Sequence, residues 1–359
     1  MNRIHNFSAG PGVLPLEVLE QTQKAVLEYN SNGMSIMEMS HRSKEIMEIF
    51  DEAKQNCLDL MKLDKNEYTV LFLGGGASLQ FAMIPYNFLK NSADYINTGE
   101  WARKAAKEAK MIGKINVIAS SEDANYNFIP KEYTVNHDAD YVHFTSNNTI
   151  FGTRFDKFPE AGNVPLICDM SSDIFSRDLD FSKFSLIYAG AQKNMGPAGA
   201  TLVVIKNSYL ETANENGLSM LLYKTHSKAD TMYNTPPVLP VYVIGETLKW
   251  LKNNGGLVEM EKRNNHKAQL LYNAIDSKVG FYKGSVISPE DRSIMNVTWN
   301  LSTVELEDKF LKEATKANLS GLKGHRSVGG IRASIYNACP LESVQALVDF
   351  MEEFYKNNA

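Results

Sequence analysis

The chain has 359 residues, and its 42 Asp and Glu against 37 Lys and Arg give a net charge of −5. At roughly 100–200 residues per domain, this length predicts two or three domains, or one large α/β domain with an appendage. The acidic balance argues against a nucleic-acid-binding protein, which would carry a basic patch. No apolar stretch approaches the ~18 residues of a membrane span, and no signal-peptide pattern opens the chain. Three cysteines without CxxC spacing predict neither disulfides nor a zinc site, so we expect a cytoplasmic protein without a bound metal.

Hydrophobic periodicity predicts two helices before the first strand. Helical patterns run from Leu16 to Tyr29 and from Ser43 to Leu63, with apolar residues at i, i+3 and i+4. An apolar strand from Tyr68 to Leu73 follows and ends in Gly74-Gly75-Gly76-Ala77-Ser78, after which a further helical stretch begins.

Six further strand candidates follow along the chain. They run Asp94 to Asn97, Ile115 to Ala119, Tyr141 to Thr145, Val164 to Asp169, Leu186 to Gly190 and Thr201 to Ile205. Several are apolar on both faces and helical patterns separate some of them, which is typical of a parallel sheet covered by helices. We therefore predict an α/β fold with a mainly parallel seven-stranded sheet.

The pattern changes after Gly255-Gly256 to helix, strand, helix, strand, helix. These segments run Leu257 to Ser277, Ile294 to Leu301, Val304 to Asn318, Gly330 to Tyr336 and Leu341 to Tyr355. This order predicts a large domain over 16–255 and a small α+β domain over 256–359, which the N-terminal arm 1–15 joins.

Lys193 follows a buried strand and is surrounded by small residues such as Gly190, Ala191 and Gly196. A lysine held there is partly desolvated, which lowers its pKa and suits Schiff-base chemistry. The alternative is a surface lysine in an ordinary strand connection.

Asp169 ends a neighbouring apolar strand. Ligands of open α/β sheets bind outside the carboxyl ends of the strands, where Asp169 and Lys193 would both lie. Pyridoxal phosphate (PLP) needs such a pair, a lysine for the aldehyde and an acid for the pyridine nitrogen. The alternative for Asp169 is capping of the following Ser171-Ser172 segment.

The glycine-rich turn before the third helix can bring backbone amides close to a phosphate. It is neither G-x-G-x-x-G, because position 79 is Leu79, nor a Walker A motif. The alternative is a tight strand-to-helix turn and nothing more.

Four strings together resemble the phosphoserine aminotransferases, in the class V group of fold-type-I PLP enzymes. They are Asn6-Phe-Ser-Ala-Gly-Pro-Gly12, Ser35-Ile-Met-Glu-Met-Ser-His-Arg42, Ile187-Tyr-Ala-Gly-Ala-Gln-Lys-Asn-Met-Gly-Pro-Ala-Gly199 and Gly324-His-Arg-Ser-Val-Gly-Gly-Ile-Arg-Ala-Ser-Ile-Tyr-Asn337. They lie in family order and cover both ends and the middle of the chain.

The resemblance implies a set of PLP-binding residues. Lys193 would bind the cofactor aldehyde and then move the proton between substrate Cα and cofactor C4′, and Asp169 would pair with the pyridinium nitrogen. Trp101 would stack on the ring, and Thr149 would bond the phenolic oxygen. The cofactor phosphate would be held by Gly76, Ala77, Ser78 and Gln192 and, from a partner subunit, by Asn234 and Thr235. The last pair implies a homodimer with shared active sites.

The resemblance also implies doubly anionic substrates: phosphoserine, glutamate and their keto acids. Arg332 would take the α-carboxylate, and the distal phosphate or carboxylate would face His41, Arg42, His325 and Arg326. Arginine's planar fork suits both groups. Some members carry an arginine just after the glycines, whereas this chain has Ala77-Ser78-Leu79, so the substrate contacts at this spot stay open.

Two alternatives compete with phosphoserine transamination in serine biosynthesis. One is another class V enzyme, such as an alanine–glyoxylate type aminotransferase or a lyase. The other is a non-catalytic binding domain, against which the retained Lys193–Asp169 pair argues. Use of 4-phosphohydroxythreonine, the related substrate of pyridoxine synthesis, stays open.

Overall fold

The computed structural model describes residues 3–359 and contains, over that range, ten α-helices and twelve strands. The helices are α1 Leu16–Leu27, α2 Lys44–Met61, α3 Gly76–Phe88, α4 Glu100–Lys110, α5 Asn207–Leu210, α6 Tyr223–Lys228, α7 Val238–Asn253, α8 Gly256–Asp276, α9 Val304–Lys316 and α10 Leu341–Asn358. The strands are β1 His5–Asn6, β2 Tyr68–Leu73, β3 Ala93–Asn97, β4 Ile115–Ser120, β5 Val142–Thr145, β6 Leu166–Asp169, β7 Leu186–Gly190, β8 Thr201–Lys206, β9 Tyr282–Gly284, β10 Asn296–Leu301, β11 Leu319–Ser320 and β12 Ile331–Ser334.

Seven strands form one sheet in the order β2-β8-β7-β6-β5-β3-β4, which confirms the predicted α/β fold and the mainly parallel sheet. Only β8 runs antiparallel to its neighbours, β2 and β7. The connection explains its direction, because residues 191–200 are too few for a parallel crossover, which needs a dozen or more. This short return connection carries Lys193.

Helices cover both faces of the large sheet. Side chains of α1, α2 and α7 form one core cluster with one face, and side chains of α3 and α4 form another with the opposite face. Helix α2 shows why the sequence folds this way. The Ser43 hydroxyl caps it by accepting from the Ile46 amide, and an apolar stripe that includes Ile49, Phe50 and Ala53 is buried.

The C-terminal segment has its own three-stranded antiparallel sheet, β12-β10-β9. One face of this sheet is buried against α8, α9 and α10 in a separate hydrophobic core, the small core, which includes Val297, Trp299 and Ala333. Helix α8 joins the small core to the cluster that contains α1, α2 and α7. Leu257 at the start of α8 belongs to that cluster, and Leu271 further along belongs to the small core. The proposed division at 255/256 stays a prediction.

The N-terminal arm crosses to the C-terminal segment. Strand β1 pairs in parallel with β11, and Phe7 is fully buried in the small core. The sequence did not indicate β1, β9, β11 or α7. Strands of two or three residues carry too little periodicity, and α7 is apolar around most of its circumference. No helix within residues 3–359 is both long and apolar enough to cross a membrane.

Lys267 is a buried lysine of α8 whose ammonium bonds the chain that follows β12. It donates to the carbonyls of Ile335 (3.0 Å), Tyr336 (2.8 Å) and Cys339 (3.2 Å), which uses all three of its protons. This lysine therefore fixes the segment just beyond Arg332.

We expect Lys267→Met to lower the free energy of unfolding by about 1–3 kcal/mol, because it leaves buried carbonyls without donors. Urea denaturation checks this, with Lys262→Met, at an exposed position of the same helix, as the matched control. Equal stability of the two variants would contradict the assigned role.

Candidate active site

Asp169 lies at the carboxyl end of β6, beside Thr145 of β5 and Tyr188 of β7. It is only 3% exposed, and its Oδ1 accepts from the Ser171 amide (2.9 Å) and hydroxyl (2.6 Å). Burial raises the pKa of Asp169, while the nearby Lys193 ammonium and Ser171 oppose that rise. The capping alternative therefore describes a real contact to Ser171, and the same carboxylate still faces the charge of Lys193.

Lys193 lies in the return connection between β7 and β8, at the same edge of the sheet. Its Nζ donates to the Thr149 hydroxyl at 2.7 Å and lies 5.5 Å from the centre of the Trp101 ring. Burial lowers the pKa of Lys193 to about 8, the Asp169 carboxylate opposes that shift and Arg332 reinforces it. The amine is therefore much closer to neutrality near physiological pH than an ordinary lysine.

Thr149 joins the lysine to the C-terminal segment. Its side chain accepts from Lys193, and its backbone carbonyl accepts from Arg332 Nη1 at 3.1 Å. Trp101 stands in the first turn of α4, half-buried, and within the described residues its indole Nε1 has no hydrogen-bond partner. These side chains surround one space above the sheet edge.

The glycine-rich turn opens α3 at the carboxyl end of β2. Gly75 has φ +86°, and a Cβ there would lie 2.5 Å from the Leu79 side chain, so the turn requires glycine. Gly76, Ala77 and Ser78 form the first turn of α3, where backbone amides have no intrahelical partner. Such a helix end suits a phosphate.

Gln192 lies directly before the lysine. Its side-chain oxygen would be 2.8 Å from a Cβ at Gly190, so glycine at the end of β7 makes room for it. The Gln192 carbonyl accepts from the Gly12 amide of the N-terminal arm at 2.7 Å. A Cβ at Gly12 would lie 2.7 Å from the Lys193 carbonyl, so the arm approaches the lysine only as glycine.

These residues fit the expected cofactor. A desolvated lysine and a buried carboxylate lie at one sheet edge, and a half-buried indole stands beside the lysine. At the carboxyl end of β2, the first turn of α3 leaves its backbone amides without intrahelical partners. Among the described residues no group of three or more His, Cys, Asp and Glu side chains could hold a metal ion.

Arg332 comes from β12, on the sheet face that carries Thr298. It is half-buried, and burial lowers the pKa of its guanidinium. His325 and Arg326 lie on the loop before β12, which the Gly324 amide closes by donating to the Gly330 carbonyl at 2.9 Å. Burial lowers the pKa of His325, and Arg332 and Arg326 lower it further.

The structure does not bring four of the expected residues to this cluster. Arg42, Asn234 and Thr235 are exposed, and His41 is half-buried. Within residues 3–359 no hydrogen bond or ion pair joins them to Lys193, Asp169 or Arg332. The Asn234 side chain donates to the carbonyl of its neighbour Thr235 at 3.3 Å.

The sequence analysis missed the support behind Asp169. The Ser146 hydroxyl donates to the Asp173 carboxylate, and Arg177 lies 3.6 Å from the same carboxylate in a buried pair. The only signal in the sequence is that Asp173 follows Asp169 by four residues and precedes Arg177 by four. That Asp173 and Arg177 are buried could not be predicted from the sequence.

A cavity of about 980 Å³ lies between the small sheet and the segment that contains Phe151. It reaches Arg332 but does not include Lys193 or Asp169. We take the carboxyl edge of the large sheet as the reaction site, because the titratable groups meet there.

We expect Lys193 in the cofactor-free protein to react with acetic anhydride with a half-point near pH 8, because only the neutral amine is nucleophilic. Mass spectrometry of the Lys193 peptide after pulses at different pH measures this. A short model peptide, whose lysine titrates at about 10.4, is the control. If Lys193 reacted with the same half-point pH as the lysine of the peptide, the conclusion that Lys193 is desolvated would be wrong.

The sequence model of the family Aminotransferase class-V matches residues 4–347. A phosphoserine aminotransferase of Flavobacterium psychrophilum is 55% identical over 351 residues, covering 97% of this chain and 98% of the relative. One of Phocaeicola vulgatus is 53% identical over 354 residues, covering 98% and 99%.

Solved structures agree. A phosphoserine aminotransferase from Bacillus circulans subsp. alkalophilus has a TM-score of 0.97 and 50% identity, covering 99% of both chains. A PLP-bound phosphoserine aminotransferase from Trichomonas vaginalis has a TM-score of 0.92 and 38% identity, covering 98% of this chain and 100% of the other. The resemblance seen in the sequence and the expected fold type I are confirmed. The chain belongs to the class-V aminotransferase family.

Proposed function

We propose that this protein is a phosphoserine aminotransferase that uses PLP. It transfers the amino group reversibly between glutamate and 3-phosphohydroxypyruvate, giving phosphoserine and 2-oxoglutarate, and so serves serine biosynthesis. The observation that carries the proposal is the desolvated Lys193, bonded to Thr149 at 2.7 Å and facing the buried Asp169. Relatives of that name above 50% identity over nearly the whole chain support the substrate.

When bound, PLP supplies an electron sink for the electrons released as substrate Cα loses its proton. Lys193 is placed to take that proton, since an amine with a pKa near 8 can both accept and return one near neutral pH. Asp169 keeps a proton on the pyridine nitrogen, because a buried carboxylate favours a cation beside it. Trp101, whose ring lies 5.5 Å from the Lys193 Nζ, would pack against the cofactor ring and exclude water from it.

Binding and orientation fall to the surrounding residues. The amides of Gly76, Ala77 and Ser78, together with Gln192, would hold the cofactor phosphate. The Thr149 hydroxyl would bond the phenolic oxygen of the cofactor. Arg332 binds the α-carboxylate with its planar fork, and its bond to the Thr149 carbonyl fixes where that fork points.

We further propose a homodimer in which His41, Arg42, Asn234 and Thr235 complete the partner's site. Arg42, Asn234 and Thr235 are exposed, and none of the four residues bonds Lys193, Asp169 or Arg332 within residues 3–359, which supports this proposal. Apolar side chains beside them are also exposed, including Met34, Met37 and Tyr233, as at a surface that another subunit covers. We place the enzyme in the cytoplasm, which the three unpaired, buried cysteines support.

With 2-oxoglutarate as acceptor, we expect phosphoserine to be a far better amino donor than serine, alanine or aspartate. Lys193→Ala should lower turnover by at least about a hundredfold, because it removes the proton carrier. Coupled detection of glutamate measures both, with Lys65→Ala, at an exposed loop position, as the control. Preference for an unphosphorylated donor would favour another class V aminotransferase, and a parallel assay of 4-phosphohydroxythreonine tests the second substrate.

Mixed dimers test the shared site. Lys193→Ala and Arg42→Ala should each be nearly inactive alone with phosphoserine. Co-expressed, they should recover about a quarter of full activity, since half of randomly paired dimers are hybrids with one intact site. Absence of recovery in a verified mixed dimer would mean that Arg42 acts within its own chain.

A further inference from the structure

Lys104 lies one turn after Trp101 on α4, and none of the roles above includes it. Its Nζ lies 4.7 Å from the centre of the Trp101 ring, the same ring that lies 5.5 Å from the Nζ of Lys193. The lysine therefore stands at the border of the active site and not on a remote face of the helix.

Its neighbouring carboxylate does not neutralise it. Both oxygens of Glu100 accept from the Arg103 fork, each at 2.9 Å, whereas Lys104 Nζ lies 3.5 Å from Oε1. One carboxylate thus serves two cations, and this turn of α4 keeps one net positive charge. The Lys104 side chain is 45% exposed, so its ammonium can move toward a ligand.

The charge of Lys104 is near enough to His325, on the loop before β12, to lower the pKa of that histidine. The charged groups that act on His325 come from three elements: Arg326 on its own loop, Arg332 on β12, and Lys104 with Glu100 on α4. The three cations lower the pKa of His325 beyond the effect of burial, and Glu100 alone opposes them. Such a convergence of cations suits a ligand group with two negative charges.

We propose that Lys104 is a specificity-determining residue that binds the distal phosphate of the substrate together with His325 and Arg326. The inference rests on the proposed function and deepens it. An ammonium acts as a compact point charge, so it attracts a phosphate dianion about twice as strongly as the single charge of a distal carboxylate. Lys104 therefore favours phosphoserine over glutamate.

The test compares Lys104→Met with Lys107→Met, at an exposed position one turn further along α4, in the PLP-loaded enzyme. We expect Lys104→Met to raise the KM for phosphoserine about tenfold, as for loss of a bond to a charged group. The KM for glutamate should rise only about threefold, because half the charge gives half the free energy. Inorganic phosphate should inhibit Lys104→Met competitively with an inhibition constant raised by about the same factor as the KM for phosphoserine. The variant Lys104→Arg, which keeps the positive charge, should recover most of the lost phosphate and phosphoserine binding.

An unchanged phosphoserine KM in Lys104→Met, or an equal rise in Lys107→Met, would overturn the inference. The inference would also be overturned if Lys104→Met lowered the affinity for PLP, measured by absorbance titration, while the KM for phosphoserine stayed unchanged. Lys104 would then only support the position of Trp101. Failure of the proposed function looks different, because the unaltered enzyme would then not turn over phosphoserine.

Discussion

The structure depends on removing one lysine ammonium from water next to one buried carboxylate. Burying either charge alone costs several kcal/mol, so each needs a hydrogen-bonding partner and an opposite charge nearby. Thr149 and Ser171 supply the hydrogen bonds, and the parallel strands bring Asp169 to the edge where Lys193 lies. The short connection from β7 to β8 holds the lysine at that edge. Because this connection is too short for a parallel crossover, β8 runs antiparallel to its neighbours.

Thr149 links the lysine at the edge of the large sheet to the arginine of the C-terminal segment. Its hydroxyl bonds Lys193, and its carbonyl bonds Arg332 from the C-terminal segment. Lys267 holds the chain just beyond Arg332 from the other side. The guanidinium of Arg332 is therefore placed relative to the Lys193 amine by two hydrogen bonds through a single residue, so small shifts of the C-terminal segment change the distance between these two cationic groups.

The sequence predicted all seven strands of the large sheet, because buried parallel strands are short apolar runs with clear limits. It also predicted that Asp169 and Lys193 share an edge, since strand ends meet there whatever the detailed packing. The antiparallel direction of β8 was not predicted, although the short connection between the predicted strands 186–190 and 201–205 indicates it. The buried Asp173–Arg177 pair could not be predicted, because burial of a charged residue depends on contacts between distant segments. His41, Arg42, Asn234 and Thr235 came only from family resemblance, and a single chain gives them no local partner that would reveal their purpose.

The N-terminal arm has a consequence for how the chain folds while it is being synthesised. Its strand β1 pairs with β11, and the Gly12 amide bonds the Gln192 carbonyl in the connection that carries Lys193. His5 and Asn6 are therefore made long before Leu319 and Ser320, the residues with which they pair. Until those two residues have been made, the arm lacks the partner strand that holds it beside the connection carrying Lys193. A chain that stops before Leu319 would thus lack this cover of the lysine connection.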